Sequence, residues 1–174
     1  TTTANMTTIN AIAMSPLTAG VRYVTLAGTN GAGNADILYL NLGALVSTWT
    51  SLVTSADWQG TLGGTINATT NVQAIAFSPN FASDKVLTAV TNNGTTNTLF
   101  EIFSFSSKKG NSAAGFTGYP VIVLPAAVAT SAAISLAPTY LGADETLRTA
   151  FVALSTAVST GAGAGKLARL DNTS

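Results

Sequence analysis

One phrase occurs three times along the chain and sets its architecture. It stands as Ala11-Ile12-Ala13-Met14-Ser15-Pro16, then Ala74-Ile75-Ala76-Phe77-Ser78-Pro79, then Ala133-Ile134-Ser135-Leu136-Ala137-Pro138. Met14 to Phe77 is 63 positions and Phe77 to Leu136 is 59. A self-similarity at about sixty residues marks a chain built from copies of one supersecondary unit.

The residues after each copy support that period. The runs Val21–Gly28, Lys85–Thr91 and Thr146–Leu154 each come after the proline and a short polar or glycine-bearing link. They are rich in β-branched and alternating apolar residues, the pattern of a strand. Each unit therefore opens with a short strand, a proline-marked turn and a second strand.

Composition narrows the possible chemistry. Seven basic and seven acidic residues cancel, so no net field favours nucleic acid or an anionic membrane surface. Charged residues make up 8% of the chain, against roughly 25% in an ordinary soluble domain. Solubility then rests on hydroxyls and amides, which suits a chain packed against neighbours or carrying glycans. Cysteine and histidine are both absent. That removes disulfides, thiol nucleophiles, the usual zinc ligands and the usual general base. The opening Thr1-Thr2-Thr3-Ala4-Asn5 has no initiator Met and no signal pattern, as expected for a mature secreted chain or a piece of something longer. No charge interrupts residues 110–143, but Pro120, Pro125 and Pro138 do, so no membrane-spanning helix is expected there.

Taken in order, residues 1–8 read as a polar arm, extended or lent to a neighbour as a strand. Repeat one covers residues 9–70, repeat two 71–131 and repeat three, incomplete, 132–174. In the first repeat, Thr29–Asn34 is a turn, and strands are expected at 37–42 and 48–53. The second repeat offers strands at 72–77, 85–91, 99–105 and 121–124, with turns at Asn92-Asn93-Gly94 and Lys108–Asn111. Its Phe100–Phe105 run partly alternates, as in a half-buried strand. The third repeat offers 133–136, 146–154 and 166–170. The fold class expected is all-β, in about three propeller-like blades of four antiparallel strands. The alternative is a pair of Ig-like β-sandwiches.

The run Ala76-Phe77-Ser78-Pro79-Asn80-Phe81-Ala82-Ser83-Asp84-Lys85-Val86 resembles the blade-opening phrase of BNR/Asp-box-type surface β-propellers. Thr48-Trp49-Thr50-Ser51-Leu52 is similar to the phrase that closes such blades. The Ser-x-Asp-x-Gly core of an Asp box is missing from all three units. The resemblance implies a ring of about four to eight blades, so three units imply either part of a ring or copies that complete one another. By the same resemblance a sialidase-like hydrolase would need an arginine cluster and a Tyr/Glu pair. Arg22, Arg148, Arg169, Tyr23, Tyr140, Glu101 and Glu145 are the residues available, and their spacing places none of them together.

Other candidates have plain readings beside them. Asn5, Asn67, Asn93 and Asn172 begin Asn-x-Ser/Thr sequons, which in an exported protein can carry N-glycans. In a chain this rich in Asn and Thr they also arise by chance. Asn30, Asn34 and Asp36 offer oxygen ligands for Ca²⁺, although one carboxylate is a poor cage and turn chemistry explains the loop. Asp84 and Asp144 are expected to cap backbone N–H groups after the proline turn. Trp49 and Trp58 are expected in the core, with sugar stacking as the alternative. Lys108-Lys109 reads as a solvated hairpin tip. No catalytic residue, metal ligand or cofactor site is assigned. The function expected is a non-catalytic, extracellular cell-surface protein that self-assembles into a layer, sheath or filament. A carbohydrate-binding or adhesive module is the alternative, and a glycan hydrolase fragment is less favoured.

Overall fold

A computed structural model describes residues 5–52, 69–94, 96–157 and 165–171. Over these residues the chain is all-β, in three antiparallel sheets, none of which closes into a barrel. Sheet one is the consecutive run β1 (Met6–Met14), β2 (Tyr23–Asn30), β3 (Ala35–Asn41) and β4 (Thr50–Ser51). Sheet two runs β5 (Thr69–Phe77), β6 (Val86–Asn93) and β7 (Asn97–Ser104). Two short strands, β8 (Lys109–Gly110) and β9 (Val121–Leu124), pair with opposite ends of β7. Sheet three is β10 (Ala129–Leu136), β11 (Ala150–Thr156) and β12 (Gly165–Leu170). Strand order follows chain order in sheets one and three and over β5–β8 of sheet two, where β9 returns to β7, unlike the Greek-key interleaving of an Ig-like sandwich.

Each copy of the repeated phrase ends an opening strand, and the same backbone bond closes the turn after it. Ser15 N–H donates to Tyr23 O (2.8 Å), Ser78 N–H to Val86 O (3.0 Å), and Ala137 N–H to Thr149 O (3.0 Å). The pairing irregularities also recur. β1 skips Thr7 and Asn10 against β2, and β5 skips Thr70 and Gln73 against β6. A step of 63 relates each pair, so the bulges belong to the repeat rather than to accident. The first pair depends on Gly28, where an added Cβ would lie 2.0 Å from Thr8 O.

Four expectations about elements are corrected. Met6–Thr8 of the expected arm are already paired in β1, with Asn30 and Thr29 as partners. The expected count of four strands per unit is met only by sheet one: among the described residues sheet two has five and sheet three has three. The expected strand at 146–154 starts late, because Glu145–Leu147 form a 3-10 turn capped by Asp144. Of the strand expected at 48–53, Thr50–Ser51 is paired and residue 53 lies outside the described residues.

Burial corrects a fifth. β7, expected to be half-buried, is buried on both faces, as is β6, because sheet two lies between the other two. One core joins Ala27, Ala35 and Ile37 of sheet one to Ile75, Phe77, Leu87 and Phe103 of sheet two. The second joins Ala74, Val86, Phe100 and Ile102 of sheet two to Ala150, Val152 and Leu154 of sheet three. Two-sided burial erases the alternation of a half-exposed strand.

Candidate functional site

The opening strands β1, β5 and β10 bring the three copies of the phrase to one place. Met14-Ser15-Pro16, Ala76–Pro79 and Ile134–Leu136 line a single cleft of about 520 Å³, with Arg22 on its wall. Arg22 Nη1 is turned inward onto Ser15 O (3.2 Å). A cleft lined by apolar side chains, two prolines, three serines and one tethered guanidinium holds no carboxylate and no acid–base pair.

A second cavity, about 380 Å³, lies at one end of sheet one and is lined by Asn5, Asn30, Asp36, Leu38, Trp49 and Ser51, among others. Trp49 precedes β4 and is half-buried, so it walls this polar cavity rather than joining either core. Asp36 accepts from Ser51 Oγ (2.7 Å) and lies 3.5 Å from Asn30 Nδ2. Burial raises its carboxyl above the usual carboxylate range, against the pull of those two donors. The Ca²⁺ alternative loses one of its ligands here. Asn30 Oδ1 accepts from Ala32 N–H (3.0 Å) and Asn34 N–H (3.2 Å), an Asx-type turn. Among the described residues no three acidic, His or Cys side chains gather as a metal site would need.

The raised Asp36 carboxyl has a consequence for stability. A carboxyl that holds its proton more tightly folded than unfolded favours the fold only while that proton is bound. Below the ordinary value of 3.8 both states are protonated, and no charge is buried. Stability then falls as pH rises towards the folded value, because the unfolded chain ionises first. Above the folded value the native state carries a desolvated charge and the loss is constant. Asp36→Asn is therefore expected to gain on the native protein between acid and neutral pH, then run parallel to it. Urea midpoints measured from pH 3 to 7.5 would reject this if the two curves kept a constant offset.

The remaining acidic candidates serve the backbone. Asp84 accepts from Ser78 Oγ (2.7 Å), Val86 N–H (3.1 Å) and Gly142 N–H (2.7 Å). Asp144 accepts from Thr146 N–H (2.9 Å) and Thr146 Oγ1 (2.7 Å). The hydroxyl bond and then the amide bond hold its carboxyl below the usual range. Both aspartates cap, as expected.

Residues a hydrolase would need are scattered. Tyr23 sits in an aromatic cluster with Tyr39, Phe81 and Phe105. Arg169 pairs with Asp171 on the surface (2.8 Å), and Glu145 is exposed. Glu101, fully buried, is held by Thr91 Oγ1 and by Asn111 Nδ2 (2.8 Å). Arg148 and Tyr140 do come together, in the second core. The Arg148 guanidinium lies over Phe116 and Tyr119 and donates to Gly142 O (2.9 Å). Tyr140 is fully buried, its hydroxyl has no partner among the described residues, and burial drives its ionisation far upward. Sequence reading missed both the Glu101 pocket and the Arg148 stack. A glutamate inside an otherwise apolar run and an arginine at the end of a turn were the only signals.

Of the sequon asparagines, Asn5 is exposed and Asn93 ends β6, while Asn67 and Asn172 lie outside the described residues, as does Trp58. Lys108 is not a free hairpin tip: its ammonium lies 5.4 Å from the Tyr39 ring centre and 5.9 Å from that of Phe105. Among the described residues no helix is long and apolar enough to cross a membrane. No family model, no curated protein and no solved structure matches this chain.

Proposed function

We propose that the three sheets are blades of an open, propeller-like array, and that the protein is a non-catalytic structural component of the cell surface. It self-associates into a layer, sheath or filament outside the cell. The observation that carries this reading is the pair of outward sheet faces. Ile9, Ile12 and Met14 stand exposed on sheet one, and Phe151 and Leu167 on sheet three. Contiguous apolar patches of this kind mark contact surfaces. Meander order within each sheet, convergence of the three phrases on one cleft, and the resemblance at Ser78–Asp84 support the blade assignment. The scarcity of charge and the exposed Asn5 sequon support the surface setting.

The experiment is light scattering of the purified chain over a wide concentration range, with negative-stain imaging. Masses that rise in multiples of one chain, with rings, sheets or filaments on the grid, are expected. A single-chain mass at every concentration would overturn the reading. A second reading, a carbohydrate-binding module, is favoured by Trp49 beside Asp36 and Asn30 in the polar cavity, since an aromatic wall flanked by hydrogen-bonding groups suits a sugar ring. Glycan retention lost in Trp49→Ala, with the scattering profile unchanged, would select it.

A further inference from the structure

Among the described residues, three stacked sheets leave two faces without a neighbour, and the internal interfaces indicate what each is built to meet. At both interfaces the later sheet presents the large residues of its opening strand. Val72, Ile75 and Phe77 of β5 point towards sheet one, and Ile134 and Leu136 of β10 towards sheet two. The opening strand of the earlier sheet answers with small residues, Ala11 and Ala13 of β1 and Ala74 of β5, while its other strands supply larger ones such as Ile37 and Phe100.

A step back of 63 positions from Val72, Ile75 and Phe77 lands on Ile9, Ile12 and Met14. The former are 0%, 8% and 9% exposed, the latter 56%, 69% and 57%. Cross-strand register sets Leu26 beside Ile12, and Val24 and Leu40 beside Met14. These three are half-buried, while Leu38, next to Leu26, is buried and lines the polar cavity. The exposed apolar face therefore runs along β1 and its neighbours on β2. A step forward of 59 from Ala74 and Ala76 lands on Ala133 and Ser135, both exposed on sheet three. Their partners on β11 are Ala153 and Phe151. The small residues leave a shallow hollow of about 200 Å³ there.

We propose that these two faces are the halves of a third interface of the same kind, formed between copies of this chain. The Ile9–Ile12–Met14 face of one copy seats on the Ala133–Ser135–Phe151 face of the next. This rests on the self-association reading and gives it a geometry: head to tail, closing into a ring or propagating as a filament according to the rotation per copy. One difference separates it from the internal interfaces. Phe81 and Tyr140, one period apart and both fully buried, fill those from the proline turn, whereas the first unit has Thr18. Without that aromatic the contact buries less apolar surface, so association between copies is reversible and concentration-dependent.

The chain has no cysteine, which makes a trapping test clean. Ile12→Cys combined with Ala133→Cys places the two thiols on opposite outward faces, out of reach within one copy. Oxidation is expected to give a ladder of covalent multimers from the double variant and not from either single one. Met14→Glu, at an exposed position that leaves the fold and its melting temperature intact, is expected to raise the concentration needed for assembly at least about tenfold. If Met14→Glu assembles like the native chain and no ladder forms while native scattering still shows multimers, the head-to-tail geometry is wrong and self-association stands. A native chain that never exceeds one copy overturns both.

Discussion

Asp84→Ala should lower the unfolding free energy by about 3 to 5 kcal/mol, because each buried donor left without a partner costs about 1–3 kcal/mol. The carboxylate is nearly buried and holds three donors at once: Ser78 Oγ, Val86 N–H and Gly142 N–H. Ser78 Oγ can turn to Tyr140 O, already at 3.5 Å, but the two amides have no such recourse. Water cannot readily take the place of the carboxylate. Gly142 is packed so closely on Val86 that an added Cβ would lie 2.5 Å from a Val86 methyl. The bond to Gly142 also ties the turn of sheet two to that of sheet three, beside Asn80 Nδ2 on Tyr140 O (2.7 Å). Asp84→Asn keeps one acceptor and opposes its amide to a donor, so an intermediate loss is expected. Equilibrium urea unfolding decides the matter, and an alanine variant within about 1 kcal/mol of native would refute the assigned role.

Phe81→Ala is the second large effect, expected at about 4 to 5 kcal/mol, the upper part of the range for deleting a buried phenylalanine. Phe81 is fully buried and meets three rings edge-on. Phe77, Phe105 and Tyr23 have centroids 4.9, 5.4 and 6.0 Å away, at interplanar angles of 79°, 85° and 73°. Such pairs add about 0.5–1.5 kcal/mol each beyond burial, and the rings come from both sheets, so neither can close over the cavity alone. Phe81→Leu, which keeps most of the volume, should cost much less. Thermal and urea denaturation of the pair measure this, and equal losses in the two variants would refute the weight given to packed volume.

Much of the fold was legible because its cues are local. The three proline phrases, the Thr29–Asn34 turn and the β9 strand at Val121–Leu124 are fixed by residues next to one another: proline's locked φ, asparagine's Asx bond, and β-branched runs. The capping of Asp84 and Asp144 was legible for the same reason. Trp49 was not. A tryptophan beside a strand packs in a core only if a partner sheet covers it, and here the neighbouring groups are Asp36, Ser51 and Asn5. The burial of Glu101 was hidden too, because its sequence neighbours say nothing of Asn111, which a tight turn folds back against it.

By itself the sequence determined most of the strands and the period, since turn residues and repetition act within a few residues. Tertiary structure decided how the meanders stack. Sheet two is covered on both sides and loses its alternation, Asp84 reaches Gly142 across 58 positions, and Ile12 stays exposed where Ile75 is buried. The physical reason is that burial belongs to pairs of surfaces. A strand carries its apolar side wherever it goes, and only the arrangement of its neighbours decides which side meets water.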